Sequence, residues 1–171
     1  EGGLVRTTSA ALFLLVFLAA GCGNSSSGGK EGGTFKLGTS SRIDSLNPYV
    51  AFNQDAYSMF EYIYPTLVQY DKENKKFVPD FAKSWSTSAD GKTWTFKTVD
   101  GAKWSDGQPL TAEDAAWRIN TDIKYKGTGA ANDAGLIAHI TRAEAPDPDT
   151  LVVHYAAPAG NVLGQFQQYP I

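Results

Sequence analysis

Three Asp-Gly pairs, Asp90-Gly91, Asp100-Gly101 and Asp106-Gly107, punctuate one short stretch of the chain at near-regular intervals. Asp-Gly favours tight hairpin turns, because such turns need positive φ and glycine adopts it at no steric cost. Between the first two pairs, Thr93-Trp94-Thr95-Phe96-Lys97 alternates strictly, so Trp94 and Phe96 share one face of a strand. The expectation is a β-meander with one apolar side, with Gly91 at positive φ in a turn between two of its strands.

Elements of both kinds flank this stretch. Thr34 to Thr39 alternates polar and apolar residues and reads as a strand. Ala56, Met59, Phe60, Ile63 and Leu67 recur at helical spacing, with Asn53 as the cap and Pro65 near the end. Leu67 to Tyr70 and Phe77-Val78 read as short strands around a charged turn. Thr111-Ala112-Glu113-Asp114 opens a second helix, in which Thr111 is expected to cap the amide of Asp114. Its two acids sit at the positive end of the helix dipole, and Ala112, Ala115, Ala116, Ile119 and Ile123 form its buried stripe. After a Gly-rich loop over 126–135, residues 137–145 and 150–155 read as a hairpin, and 158–169 as a last helix.

The N-terminal segment has a different purpose. Arg6 precedes an apolar run from Ala10 to Ala20, too short for the roughly 20 residues that span a bilayer. Small residues lead into Cys22, the only cysteine, and Gly23-Asn24-Ser25-Ser26-Ser27-Gly28-Gly29 follows as a flexible tether. Leu18-Ala19-Ala20-Gly21-Cys22 resembles the lipobox of bacterial lipoproteins, with leucine one place earlier than usual. That resemblance implies a signal peptide over 1–21, a lipid on Cys22, a tether over 22–33, and a domain held outside the membrane. The chain opens on Glu1 rather than Met and stops inside an apolar run, so a piece of a longer protein is expected.

Candidate chemistry is sparse. Glu113 and Asp114 are adjacent on a helix, point in different directions and are better explained by capping. His139 and His154 lie on two strands of one hairpin, but no cysteine or clear acidic partner completes a metal site. Gly127-Thr128-Gly129 lacks the Gly-Lys-Ser/Thr ending of a phosphate loop, and no Gly-x-Ser-x-Gly elbow occurs. A net charge of -3 gives no electrostatic case for nucleic acid. No enzyme, metal or cofactor is called for. Trp85, Trp94, Trp104 and Trp117 leave one alternative open, a surface-anchored carbohydrate-binding β-module using exposed tryptophans.

Several segments together carry a resemblance. They are Asp44-Ser45-Leu46-Asn47-Pro48-Tyr49, Tyr64-Pro65-Thr66-Leu67-Val68 and Val78-Pro79-Asp80-Phe81-Ala82-Lys83-Ser84-Trp85, followed by Asp90-Gly91-Lys92-Thr93-Trp94-Thr95-Phe96, Gly101-Ala102-Lys103-Trp104-Ser105-Asp106-Gly107 and Leu110-Thr111-Ala112-Glu113-Asp114. In this order and spacing, over about residues 32–160, the chain resembles the family 5 extracellular solute-binding proteins of bacterial ABC transporters. Thr98-Val99 and Ala115-Ala116 depart from the family pattern without touching the assignment.

The resemblance implies an α/β fold, the N-terminal part of a two-lobed periplasmic-binding-protein-like architecture. Residues 34–43 would supply the first strand of lobe one, 44–165 the family's extra lobe, and 166–171 the start of the remainder. It implies a substrate-binding lipoprotein that captures peptides or related small solutes and delivers them to permease subunits. Thr39, Ser40 and Ser41 at the strand's exit, with Asn47, Phe52 and Asn53 in the next loop, are then the candidate ligand-facing residues. Which solute is bound is not written in these residues.

Overall fold

The computed structural model describes residues 42–125 and 134–171, together with Thr34, Lys36 and Gly38. Those three lie in neither helix nor strand, so the strand expected over 34–39 is not formed at its described positions. A strand is stable only with a partner to take its backbone hydrogen bonds, and no described strand pairs with them. Residues Thr39–Ile171 separate as one compact unit, described from here on.

Helix α1 (Gln54–Ile63) begins where the sequence places it. Asn53 is extended, and its side-chain oxygen accepts the Ala56 N–H at 3.0 Å. The helix stops before Pro65, because a residue preceding proline is pushed out of the helical region, and Tyr64 is extended at φ −111°, ψ 138°. Ala56 and Phe60 are buried, Ile63 is half-exposed, and Leu67 lies beyond the helix in the main core.

Strands β1 (Val68–Asp71) and β2 (Lys76–Pro79) form a small antiparallel hairpin. Next come β3 (Ala82–Thr87) and β4 (Thr93–Thr98), then helix α2 (Ala112–Tyr125) and the short α3 (Ala134–Ile137). Strands β5 (Ile140–Asp147) and β6 (Thr150–Tyr155) follow, and the short α4 (Val162–Phe166) comes last. The larger sheet has the order β3-β4-β6-β5, with all neighbours antiparallel.

That order corrects the expected meander. Gly91 does sit at φ 67° in the β3–β4 turn, where its N–H donates to the Ser88 carbonyl at 2.9 Å. The stretch after β4, however, does not return as a third strand. Gly101 at φ 70° and Gly107 at φ 89° turn the chain twice within a few residues. The segment folds back on itself instead, with the Trp104 N–H donating to the Gln108 carbonyl and the Leu110 N–H to the Ala102 carbonyl around the Lys103–Pro109 bridge. The open side of β4 is taken instead by β6, which pairs Trp94 with Val153 and Phe96 with Leu151.

Helix α2 lies against β5 and β6. Ala112, Ala115 and Ile119 are fully buried, and the small alanine side chains let the helix approach the sheet closely. Phe96, Leu151, Val153, Phe166 and Tyr169 complete the core, and burying each large apolar side chain contributes about 1.5–3 kcal/mol. The start of α2 differs from expectation. Asp114 reaches back, accepting the Thr111 N–H at 2.8 Å and the Thr111 hydroxyl at 3.1 Å. The acid, rather than the threonine, is the capping acceptor, the reciprocal half of a capping box.

Phe166, Tyr169 and Ile171 belong to the same core, so the packing continues past residue 165. By contrast Ala51, Ala56 and Phe60 form a second, small cluster with Ile43, Tyr57 and Tyr64. The loop before α1 and the helix itself are a satellite of the main body.

Candidate functional site

Residues 42–53 form a loop closed by two side chains. The Asp44 carboxylate accepts the Phe52 N–H at 2.6 Å, and Asn53 donates its side-chain amide to the Arg42 carbonyl while capping α1. Burial raises the Asp44 carboxyl, but backbone donors led by Phe52 outweigh it and hold the group below the ordinary carboxylate range. At the tip, Asn47 Oδ1 accepts the Tyr49 N–H at 2.9 Å, and the Asn47 carbonyl accepts from Val50 and Ala51. Such a side-chain-to-backbone turn is what asparagine offers ahead of proline.

The loop is tied to the end of α1 and, separately, to the main body. Tyr64 donates its hydroxyl to the Leu46 carbonyl at 2.9 Å. The Tyr49 ring lies over the Arg118 guanidinium at 4.2 Å, and the Tyr169 ring lies at 4.8 Å from the same group. Arg118 is 5% exposed and Asp122 is fully buried, and the two form an ion pair one turn apart on α2. Asp122 also accepts the Tyr169 hydroxyl. A buried charge needs such compensation, since leaving water costs several kcal/mol per ion.

Between loop and body runs a groove of about 300 Å³ lined by Asn47, Tyr49, Tyr64, Trp104, Trp117 and Arg118, among others. Trp117 in its lining is 64% exposed, and elsewhere on the loop 42–53 Phe52 and Val50 are 85% and 62% exposed. Rings and one asparagine suit contact with an organic solute or peptide side chain, with selectivity from few polar groups.

Asn47, Phe52 and Asn53 all lie in this continuous loop. Asn53 is occupied by its cap and its tie to Arg42, whereas Phe52 presents its ring outward. Thr39, Ser40, Ser41 and Cys22 lie outside the described residues, as does Gly127-Thr128-Gly129. His154 bonds Glu144 at 2.7 Å and Arg142 at 3.1 Å on the polar face of the sheet, while His139 lies just before β5. The bond from His154, then that from Arg142, holds the Glu144 carboxyl below its ordinary range. Among the described residues no group of three or more His, Cys, Asp or Glu could hold a metal. Trp85, Trp94 and Trp104 pack against the core, and only Trp117 of the four is an exposed large hydrophobic. That arrangement removes the row of open indoles on which the carbohydrate-module alternative depends.

Sequence reasoning missed Arg118, Asp122 and Tyr49. A signal was present: Arg118 and Asp122 are four apart, immediately beside the stripe Ala115, Ile119 and Ile123, so both project towards the core side of α2.

The model of bacterial extracellular solute-binding proteins, family 5 Middle, matches residues 76–171, more than half of the chain. The chain belongs to the family 5 bacterial extracellular solute-binding proteins. A putative ABC transporter peptide-binding protein of Brucella ovis is 32% identical over 135 residues, covering 79% of this chain and 25% of that protein. The dipeptide-binding protein DppE of Bacillus subtilis is 33% identical over 129 residues, covering 68% and 23%. Among solved structures, OppA of Haemophilus influenzae in complex with the peptide RPPGFSPFR superposes with a TM-score of 0.62 at 28% identity, covering 74% of this chain and 28% of that one. This family 5 chain therefore spans about a quarter of the length of the curated relatives it matches. Its fold class is the expected one, α/β within the periplasmic-binding-protein architecture, and its family is one of extracytoplasmic solute binders rather than enzymes.

Proposed function

We propose that these residues are the N-terminal part of a receptor for an ABC importer, which captures peptides or related small solutes outside the membrane and delivers them to the permease. The observation that carries this reading is the 32% identity, across 79% of the chain, to a protein described as an ABC transporter peptide-binding protein. Residues 34–43 would belong to lobe one and 44–165 to the extra lobe. The loop 42–53 would form part of the solute-facing wall, with Asn47 and Phe52 as its contacts and Thr39, Ser40 and Ser41 beside it. Cys22, after loss of residues 1–21, would carry the lipid that anchors the receptor, with 22–33 as tether. Closure of the lobes around the solute would then give the form that the permease recognises. Titration calorimetry of the receptor chain carrying these residues against a pool of short peptides tests the reading. Saturable heat supports it, and no heat with any peptide length overturns the peptide assignment.

A further inference from the structure

We infer that Arg118 is a positioning residue for the loop 42–53, acting through the ring of Tyr49; its bearing on solute rests on the function proposed above. The loop and α1 have their own small core, built on Ala51, Ala56 and Phe60, separate from the main one. Such a satellite can shift as a body unless something fixes it. Beyond the covalent link through Pro65, the loop reaches α2 through Tyr49, whose ring lies 4.2 Å from the Arg118 guanidinium and whose hydroxyl also faces Thr121.

The Tyr169 ring lies 4.8 Å from the same guanidinium, whose charge is met by Asp122. Asp122 in turn accepts the Tyr169 hydroxyl. One planar cation therefore meets rings from two segments far apart in sequence, and its orientation is held by Tyr169 and Asp122 as well as by Tyr49. A guanidinium suits this place for a reason that lysine does not share. It is flat, remains charged when buried, and stacks on aromatic faces while its N–H groups bond a carboxylate. Lysine would keep the charge and lose the plane.

Arg118→Lys separates positioning from folding. The ammonium retains a partner for Asp122, so the melting temperature should stay close to that of the parent chain. The amides of Tyr49, Val50, Ala51 and Phe52 should exchange with solvent about tenfold faster, with those of Phe96 and Leu151 unchanged. Affinity for the peptide pool should fall about tenfold, which is about 1.4 kcal/mol. Tyr49→Leu, which leaves the ion pair intact, should reproduce the loop exchange and serves if the lysine variant fails to fold. Unchanged loop exchange in both variants overturns the inference, as does faster exchange with unchanged affinity. A parent chain that binds no peptide sinks the receptor reading instead, and the exchange comparison still decides whether Arg118 places the loop.

Discussion

The Asp44 carboxylate accepts the Phe52 N–H at 2.6 Å, and this bond closes the loop whose tip is Asn47. Its strength depends on the carboxylate staying ionised, so the order of the loop is linked to pH. The folded group titrates below its ordinary range, because backbone donors outweigh the effect of burial. A carboxylate with a depressed folded pKa contributes order that is present above the unfolded value, near 3.9, and lost as pH falls through the folded one. Exchange of the Phe52 amide should be slow at neutral pH and accelerate, relative to a peptide of the same sequence, only in acid. In Asp44→Ala it should be fast throughout, and a parent-like profile in that variant would refute the assignment.

Gly91 joins β3 to β4 at φ 67°, and a Cβ there would lie 3.3 Å from the Cβ of Pro158. Gly91→Val should cost on the order of 1–2 kcal/mol from backbone conformation alone, with the crowding at Pro158 adding to it. Urea unfolding of variant and parent measures the difference, and equal midpoints would contradict it.

The Arg118–Asp122 pair is buried at both ends. Arg118→Met leaves Asp122 without its cation and should destabilise the fold by about 3–5 kcal/mol. Adding Asp122→Leu should restore much of that loss, because no uncompensated charge then remains. Denaturant curves for parent, single and double variants form the test, and a double variant as unstable as the single would show that charge is not the cause.

Trp117 stands out among the four indoles as a large exposed side chain, whereas Trp85, Trp94 and Trp104 pack on the core. Acrylamide should quench one tryptophan class readily in the absence of any solute, and Trp117→Phe should remove that class. Several readily quenched indoles surviving the substitution would revive the carbohydrate-module alternative.

Cys22 follows an apolar run and small residues and precedes a Ser/Gly tether. In a bacterial host it should take up a fatty-acid analogue that Cys22→Ser does not. Equal labelling of both would end the lipoprotein reading.

Local features were legible and long-range ones were not. Asn53 as a cap, the turn at Gly91 and the buried alanines of α2 all follow from spacing within a few residues. The partner of β4 does not, since Thr93 and His154 are 61 positions apart and alternation alone cannot say which strands meet. Asp44 and Phe52 likewise meet because the loop folds back, which no periodicity encodes. Arg118 and Asp122 escaped because charged side chains are mostly exposed; their shared place beside the stripe was the available clue. Of the candidate ligand residues, Asn47, Phe52 and Asn53 share one loop simply because they are close in sequence, and Asn53 is committed to holding it.

The strand order β3-β4-β6-β5 also bears on how the chain is made. Synthesis delivers β3 and β4 as a finished hairpin, while the strand that must cover the other side of β4 begins at Thr150. At roughly 5–20 residues per second, the ribosome takes several seconds to supply it. Throughout that interval the open edge of β4, with Trp94 and Phe96 on the face beside it, is a surface on which a neighbouring nascent chain could pair. Docking of the second hairpin, rather than formation of either one, is then the step at which this unit either completes its sheet or aggregates.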